Sequence, residues 1–236
     1  MALTLPRCVE PEILDGLAVT DPRAQRSRAD LRRIHHVMGT LSITQRALER
    51  ATLMVRPQRL LEIGAGDGSL LLRLGQEQAR HWPALNVTLL DRLEVVEDRT
   101  LDALRRLGWF PSVVSRDVFE YLTATQVQAW DVVYATLFLH HFSPPELRKL
   151  LSCIASLTRV FFCCEPRRSL LALTGSHTLG LLGAGAVTRA DAVASVHAGF
   201  RARELTSLWP DAAQWQLEEY GAGLFCHAFL AVRKGT

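Results

Sequence analysis

Leu60-Leu-Glu-Ile-Gly-Ala-Gly-Asp-Gly-Ser-Leu70 decides how this chain is read. A short apolar run ends in Gly64, Gly66 and Gly68, and an amphipathic stretch follows at once. That order describes a strand passing through a tight loop into a helix. Glycines at such a junction allow unusual φ values and close approach of backbone to a ligand. In an open α/β sheet, ligands sit beyond the carboxyl ends of the strands. The spacing is G-x-G-x-G, not the G-x-G-x-x-G of a dinucleotide fingerprint, and no Gly-Lys-Ser/Thr follows to make a P-loop. Glu62 and Asp67 put carboxylates beside the loop. They would repel a pyrophosphate and attract a ligand carrying an ammonium and a sulfonium.

Outward from the loop, short apolar runs alternate with amphipathic stretches. Strands are expected at 59–63, 86–90, 111–115, 131–135 and 159–164, and helices at 69–77, 94–107, 123–128 and 144–155. This alternation predicts a parallel sheet built by right-handed crossovers. The tail departs from it: helices at 190–200 and 203–208 precede two runs, 214–219 and 225–232, joined through Gly221-Ala-Gly223. A terminal hairpin would add an antiparallel pair. Segments 174–177 and 180–185 read as a flexible, weakly polar wall of a binding site.

Acids stand at the ends of the next two strands. Asp91 follows Leu89-Leu90, where a carboxylate can accept both hydroxyls of a ribose. Asp117, in Ser115-Arg-Asp-Val-Phe119, is placed to accept from an adenine amino group. With these residues, the stretch from about 57 to 165 resembles a class I S-adenosylmethionine-dependent methyltransferase. Glu62, Gly64, Gly66 and Gly68 match that family's first motif, Asp91 its ribose-binding acid, and Asp117-Val118 its adenine-contacting pair. Trp130-Asp-Val-Val-Tyr-Ala-Thr-Leu-Phe-Leu-His-His-Phe142 matches its fourth-strand segment, and the Leu-His-His-Phe form is similar to small-molecule methyltransferases of the quinone and natural-product type. The resemblance implies an α/β, Rossmann-like fold: a seven-stranded, mostly parallel sheet with an antiparallel terminal hairpin, plus N-terminal helices. It implies S-adenosyl-L-methionine as cofactor, held by Glu62, Gly64, Gly66, Asp67, Gly68, Asp91, Asp117, Val118 and Thr136. Residues 1–56 are expected to form an arm and helical lid, and 57–236 the cofactor-binding domain.

The acceptor is narrowed by what the chain lacks. No Asn/Asp-Pro-Pro-aromatic follows the fourth strand, as amine-methylating nucleic-acid enzymes require, and neither Cys163 nor Cys164 follows a proline. His140 and His141 stand where the transferable methyl should point. An imidazole suits deprotonation of a phenol, so both are catalytic candidates, with His140 preferred as the base. Arg167 and His35 are the substrate-binding candidates, and no metal site is expected. Ser143, before Pro144-Pro145, reads as a helix N-cap.

Residues 21–59 hold nine arginines against three acids, with Leu31, Ile34, Met38 and Leu41 at helical spacing. That segment reads as a lid with His35 or His36 facing the acceptor, or alternatively as an RNA-binding surface. The chain has 25 Arg but only 2 Lys, so arginine is abundant everywhere and the local charge favours the lid. With 236 residues and 48% apolar residues, a full core is affordable. Five scattered cysteines suggest no disulfide framework and a cytoplasmic setting. No secretory leader or membrane span is read. The expected activity is methyl transfer to a small aromatic or polyketide-like acceptor, on oxygen in preference to carbon. An RNA methyltransferase and a non-catalytic cofactor-binding subunit are the alternatives. The partner is a small molecule, with no nucleic acid.

Overall fold

The computed structural model describes residues 5–53, 56–124 and 129–235. Seven strands form one sheet: β1 (Arg59–Ile63), β2 (Asn86–Asp91), β3 (Phe110–Ser115), β4 (Trp130–Thr136), β5 (Thr158–Pro166), β6 (Trp215–Ala222) and β7 (Cys226–Arg233). Their order across the sheet is β3-β2-β1-β4-β5-β7-β6. The first five run parallel, and β7 is antiparallel to both β5 and β6. The expected parallel sheet with a terminal antiparallel hairpin is therefore what the chain forms.

Nine helices accompany the sheet among the described residues: α1 (Pro22–Met38), α2 (Thr40–Ala51), α3 (Ser69–Gln78), α4 (Asp98–Arg106), α5 (Val118–Leu122), α6 (Pro144–Leu157), α7 (Leu170–Thr178), α8 (Ala186–Ala198) and α9 (Glu204–Leu208). Period-two alternation along the strands separates two apolar layers. On β5, Phe162 and Cys164 join Leu48 of α2 and Leu71 of α3 on one face. Phe161 and Cys163 join Leu150 of α6 and Leu205 of α9 on the other. Truncating a filled position such as Phe161 to Ala should cost about 3–5 kcal/mol.

Local chemistry sets the helix ends. Asp21 caps α1 by accepting from Arg23 N at 2.8 Å, with Pro22 in the first turn, and Gly39 in the left-handed region (φ 69°) turns the chain directly into α2. Ser143 and Glu146 form a capping box on α6, the N-terminus expected from sequence.

Of the helix expected over 123–128, residues 125–128 lie outside the described residues; α5 precedes it, because Asp117 accepts from Phe119 N and Glu120 N and starts a helix there. One expectation needs correction. The stretch read as flexible is instead α7 and a 3₁₀ turn at Leu179–Leu182. Ser169 caps α7 through Ala172 N, but apolar residues surround that helix on all sides, so no amphipathic stripe marks it in sequence.

The register places the site. Ile63 pairs with Leu90 and with Ala135, so the glycine loop, Asp91 and Thr136 emerge at one edge. Strand order reverses between β1 and β4, which opens a crevice there. α1, α7 and α8 cover that crevice, α8 packing on both of the other helices.

Candidate active site

A cavity of about 900 Å³ lies under this cover. At one end it is lined by the glycine loop and at the other by His140 and His141.

At the loop end, Gly66 has φ 53°, and the position of a side chain there is open space. Its N–H donates to Asp91 Oδ2 at 2.8 Å, and Leu93 N donates to Asp91 Oδ1 at 2.9 Å. The ribose-binding candidate is thus held rigidly against the loop by backbone. Gly64 also has a positive φ (71°), and a Cβ there would strike the Phe138 ring. Glu62 is buried in the cavity wall with Oε2 unpartnered, and burial pushes its carboxyl up to about 8. Asp67 accepts from Ser69 N and, at 2.7 Å, from Arg32 of α1. Burial raises its pKa, but those hydrogen bonds outweigh burial and hold the carboxyl below the usual carboxylate range. Asp117, Val118 and Thr136 line the cavity. Gly68 does not: it caps α3, and a Cβ there would meet Leu89 Cδ2 at 2.7 Å, so its requirement is packing rather than ligand contact.

The donor set fits a bound S-adenosylmethionine: an open glycine cradle, an unpartnered buried carboxyl oxygen suited to an ammonium, and acids at the ends of β2 and β3. His35 of α1 lines the cavity with Nδ1 buried and unpartnered; burial lowers it to about 4, so it is a neutral imidazole at pH 7. His36 is exposed on the outer side of the helix.

The other end is built by distant segments. Leu137, immediately after β4, adopts φ 51°, a strained conformation for a non-glycine residue costing on the order of 1–3 kcal/mol. It turns the chain so that Leu139–His141 form one 3₁₀ turn. Glu165, fully buried at the end of β5, accepts from Phe138 N, Leu139 N and His140 N, and from His140 Nδ1 at 2.8 Å. His140 Nε2 lies 3.2 Å from Oε1 of Glu12, which comes from the N-terminal arm. Burial lowers the basicity of His140, but the two carboxylates outweigh it and raise the ring to about 9. Glu12 is driven down to about 2, its burial overcome by His140. His141 packs 4.2 Å from the His140 ring, centroid to centroid, and is lowered by burial and by that neighbour. The choice of His140 as base is therefore corrected. Both its nitrogens are engaged, and in this arrangement it is a cation without a free lone pair.

Arg167 is corrected too. It is exposed, stacked on Gly221 of the terminal hairpin, and does not line the cavity. Its neighbour Arg168 is the buried one, bonded to Glu204, Gly199 O and Leu5 O. Missed entirely from sequence are Glu12 and its partner Ser195 on α8, while Asp191 fixes the arm, its carboxylate accepting from Ile13 N and Leu14 N. Nothing local marks an acid in an irregular arm as part of a site formed 128 residues later.

A family model described as a methyltransferase domain matches residues 31–222, from within α1 to the end of β6. No curated protein sequence matches the chain. Among solved structures, the plantazolicin methyltransferase BpumL in complex with a monoazolic desmethylPZN analog and SAH superposes with TM-score 0.64 at 14% identity, covering 91% of this chain and 92% of that one. Magnesium protoporphyrin IX methyltransferase (ChlM) from Synechocystis PCC 6803 with bound SAH gives 0.55 at 16% identity, covering 94% and 91%. An O-methyltransferase family protein from Burkholderia thailandensis gives 0.62 at 17% identity, covering 91% of this chain and 60% of that one.

Proposed function

Since the chain belongs to the methyltransferase-domain family, we propose that it moves the methyl group of S-adenosyl-L-methionine to a hydroxyl of a small aromatic or polyketide-like acceptor. The observation that carries this reading is that one cavity of about 900 Å³ is lined by both the glycine loop and the histidine pair. Its volume is in the upper range for small-ligand sites, and between the two ends its walls include Leu31, Ile34, Phe138, Phe142, Val196 and Phe225. Such a lining suits a flat apolar acceptor. The cofactor supplies an electrophilic methyl on a sulfonium.

The chain's own residues do the rest. Gly66, Asp91, Asp117, Val118 and Thr136 hold the adenosine, and Glu62 and Asp67 hold the charged tail. α1, α7 and α8 exclude water and orient the acceptor for in-line attack, a contribution that can reach several kcal/mol. The acceptor hydroxyl stands at the Glu12, His140, His141 end. His140 is already bound on both ring nitrogens, so deprotonation depends on what else that cluster holds. The solved structures with SAH bound support the cofactor, and the oxygen acceptor is in keeping with the name of the O-methyltransferase family protein.

The RNA reading loses ground at α1. Arg23 pairs with Asp21, Arg32 with Asp67 and Arg33 with Asp30, so much of the local positive charge is engaged within the protein. Five free cysteines and no helix, among the described residues, long and apolar enough to cross a membrane accord with a cytoplasmic setting.

Methyl-labelled S-adenosylmethionine, incubated with the purified chain and fractions of a cell extract, tests the reading. Label is expected in the small-molecule fraction. Label in RNA, or in no fraction, contradicts it.

A further inference from the structure

We propose that Glu12, His140 and His141 form a binding site for one divalent transition-metal ion, of the zinc or cobalt type, at the acceptor end of the cavity.

The argument starts at His140. Glu165 accepts three backbone N–H bonds and faces His140 Nδ1 at 2.8 Å, so Nδ1 is the ring nitrogen that donates there. Nε2 faces Glu12 Oε1, its lone pair covered by a proton in the metal-free cation described above, a proton that a metal would replace. A lone pair and a carboxylate oxygen facing each other repel unless a cation lies between them. A proton is one such cation and a metal is the other. The separation is 3.2 Å. That is longer than the roughly 2.7–2.9 Å of a charge-assisted N–H···O bond. It is close to the edge of about 3.3 Å that bonds of about 2.0–2.2 Å subtend in a tetrahedral site.

The third ligand is beside them. One ligand atom each of Glu12, His140 and His141 lie within 4.8 Å of one another. Tetrahedral spacing asks the ligand atoms to close in by at most about 1.5 Å. The Nδ1 of His141 stands 3.7 Å from Asp15 and its ring packs 4.2 Å from that of His140, so the approach is a rotation of the His141 side chain. Two imidazoles and one carboxylate form a catalytic-type set, in which the fourth position stays open. Glu165 completes the pattern from behind, since a carboxylate on the far nitrogen fixes the tautomer and aims Nε2 at the metal. Glu12 is held in turn by Ser195, and the arm that carries it is clamped by Asp191.

Metal binding needs no assumption about the reaction, but the metal's role rests on the methyl-transfer reading. The acceptor oxygen takes the open position and its O–H proton leaves to water. The oxygen lone pair forms the O–CH₃ bond as the S–CH₃ bond breaks, and that bond's electron pair stays on sulfur. The metal thereby replaces the base that His140 cannot be.

The test uses the full chain stripped with a chelator and titrated with Co²⁺, followed by visible absorption. One equivalent is expected, with bands of a four- or five-coordinate ion. Glu12→Gln and His141→Ala should each weaken uptake by at least about 10-fold, and Glu165→Gln by about 10–100-fold. Cys8→Ser, an exposed thiol outside the cluster, should change nothing. S-adenosylhomocysteine affinity, measured alongside, should be retained in Glu12→Gln and His141→Ala, which certifies the fold and tests the methyl-transfer reading separately. Absence of Co²⁺ uptake up to millimolar concentration, or uptake unchanged in both Glu12→Gln and His141→Ala, overturns the metal site while leaving the cofactor reading untouched.

Discussion

The two ends of the cavity are built on opposite plans. At the glycine loop, polar groups are left open: Glu62 Oε2 has no partner, and space stands free beside Gly66. At the histidine end, polar groups are saturated: Glu165 accepts four hydrogen bonds, and His140 is held on both nitrogens. A buried polar atom without a partner carries a cost that a ligand can remove. The loop end is therefore a place of binding, where ligand contacts replace missing ones. The histidine end is pre-organised, and its effect falls on reaction more than on affinity.

Four predictions probe this division, from the largest effect down. His141→Ala should lower turnover by roughly 10²–10⁴-fold, with the affinity for S-adenosylhomocysteine nearly unchanged; parallel loss of affinity would break the division. Asp91→Ala should weaken that affinity by about 1–3 kcal/mol, read by calorimetry, because the carboxylate proposed to meet the ligand also holds Gly66 and Leu93 in place.

The third concerns protons. Glu62 has a carboxyl raised to about 8, so it is mostly neutral at pH 7. An ammonium beside it favours the charged form and lowers its pKa. Binding of S-adenosylhomocysteine should therefore release up to one proton near pH 6–7, with release fading above about pH 8. The binding enthalpy should then depend on the buffer's ionisation enthalpy, and Glu62→Gln should abolish the dependence. Proton uptake in place of release would contradict the assignment. The smallest effect belongs to the lid: Arg32→Ala removes an exposed pair with Asp67 and should cost no more than about 1 kcal/mol in affinity.

The same division explains what could be read from the chain. Glu62 to Gly68, Asp91, and Asp117-Val118 each sit at the end of a strand whose period was visible, so a one-dimensional pattern carried both the sheet and the cofactor end. Gly68 was misread in role because a glycine needed for packing on Leu89 looks the same in sequence as one that faces a ligand. Glu12 and Glu165 meet His140, and Ser195 meets Glu12, only through tertiary packing of the arm, β5 and α8. No spacing rule links them. Arg167 and Arg168 are adjacent, and the alternation of side chains at the strand end, not their chemistry, sends one outward and buries the other. α7 lacked any amphipathic signal because its leucines surround the helix.

The most direct test of the account sets Gly66→Val beside His141→Ala in one calorimetric titration with S-adenosylhomocysteine. A branched side chain at Gly66 meets a φ of 53° and fills the open space of the loop. The account predicts that Gly66→Val shows no measurable binding while His141→Ala stays within about twofold of the unaltered chain, a difference under 0.5 kcal/mol. Retained affinity in Gly66→Val, or equal loss in both variants, would contradict it.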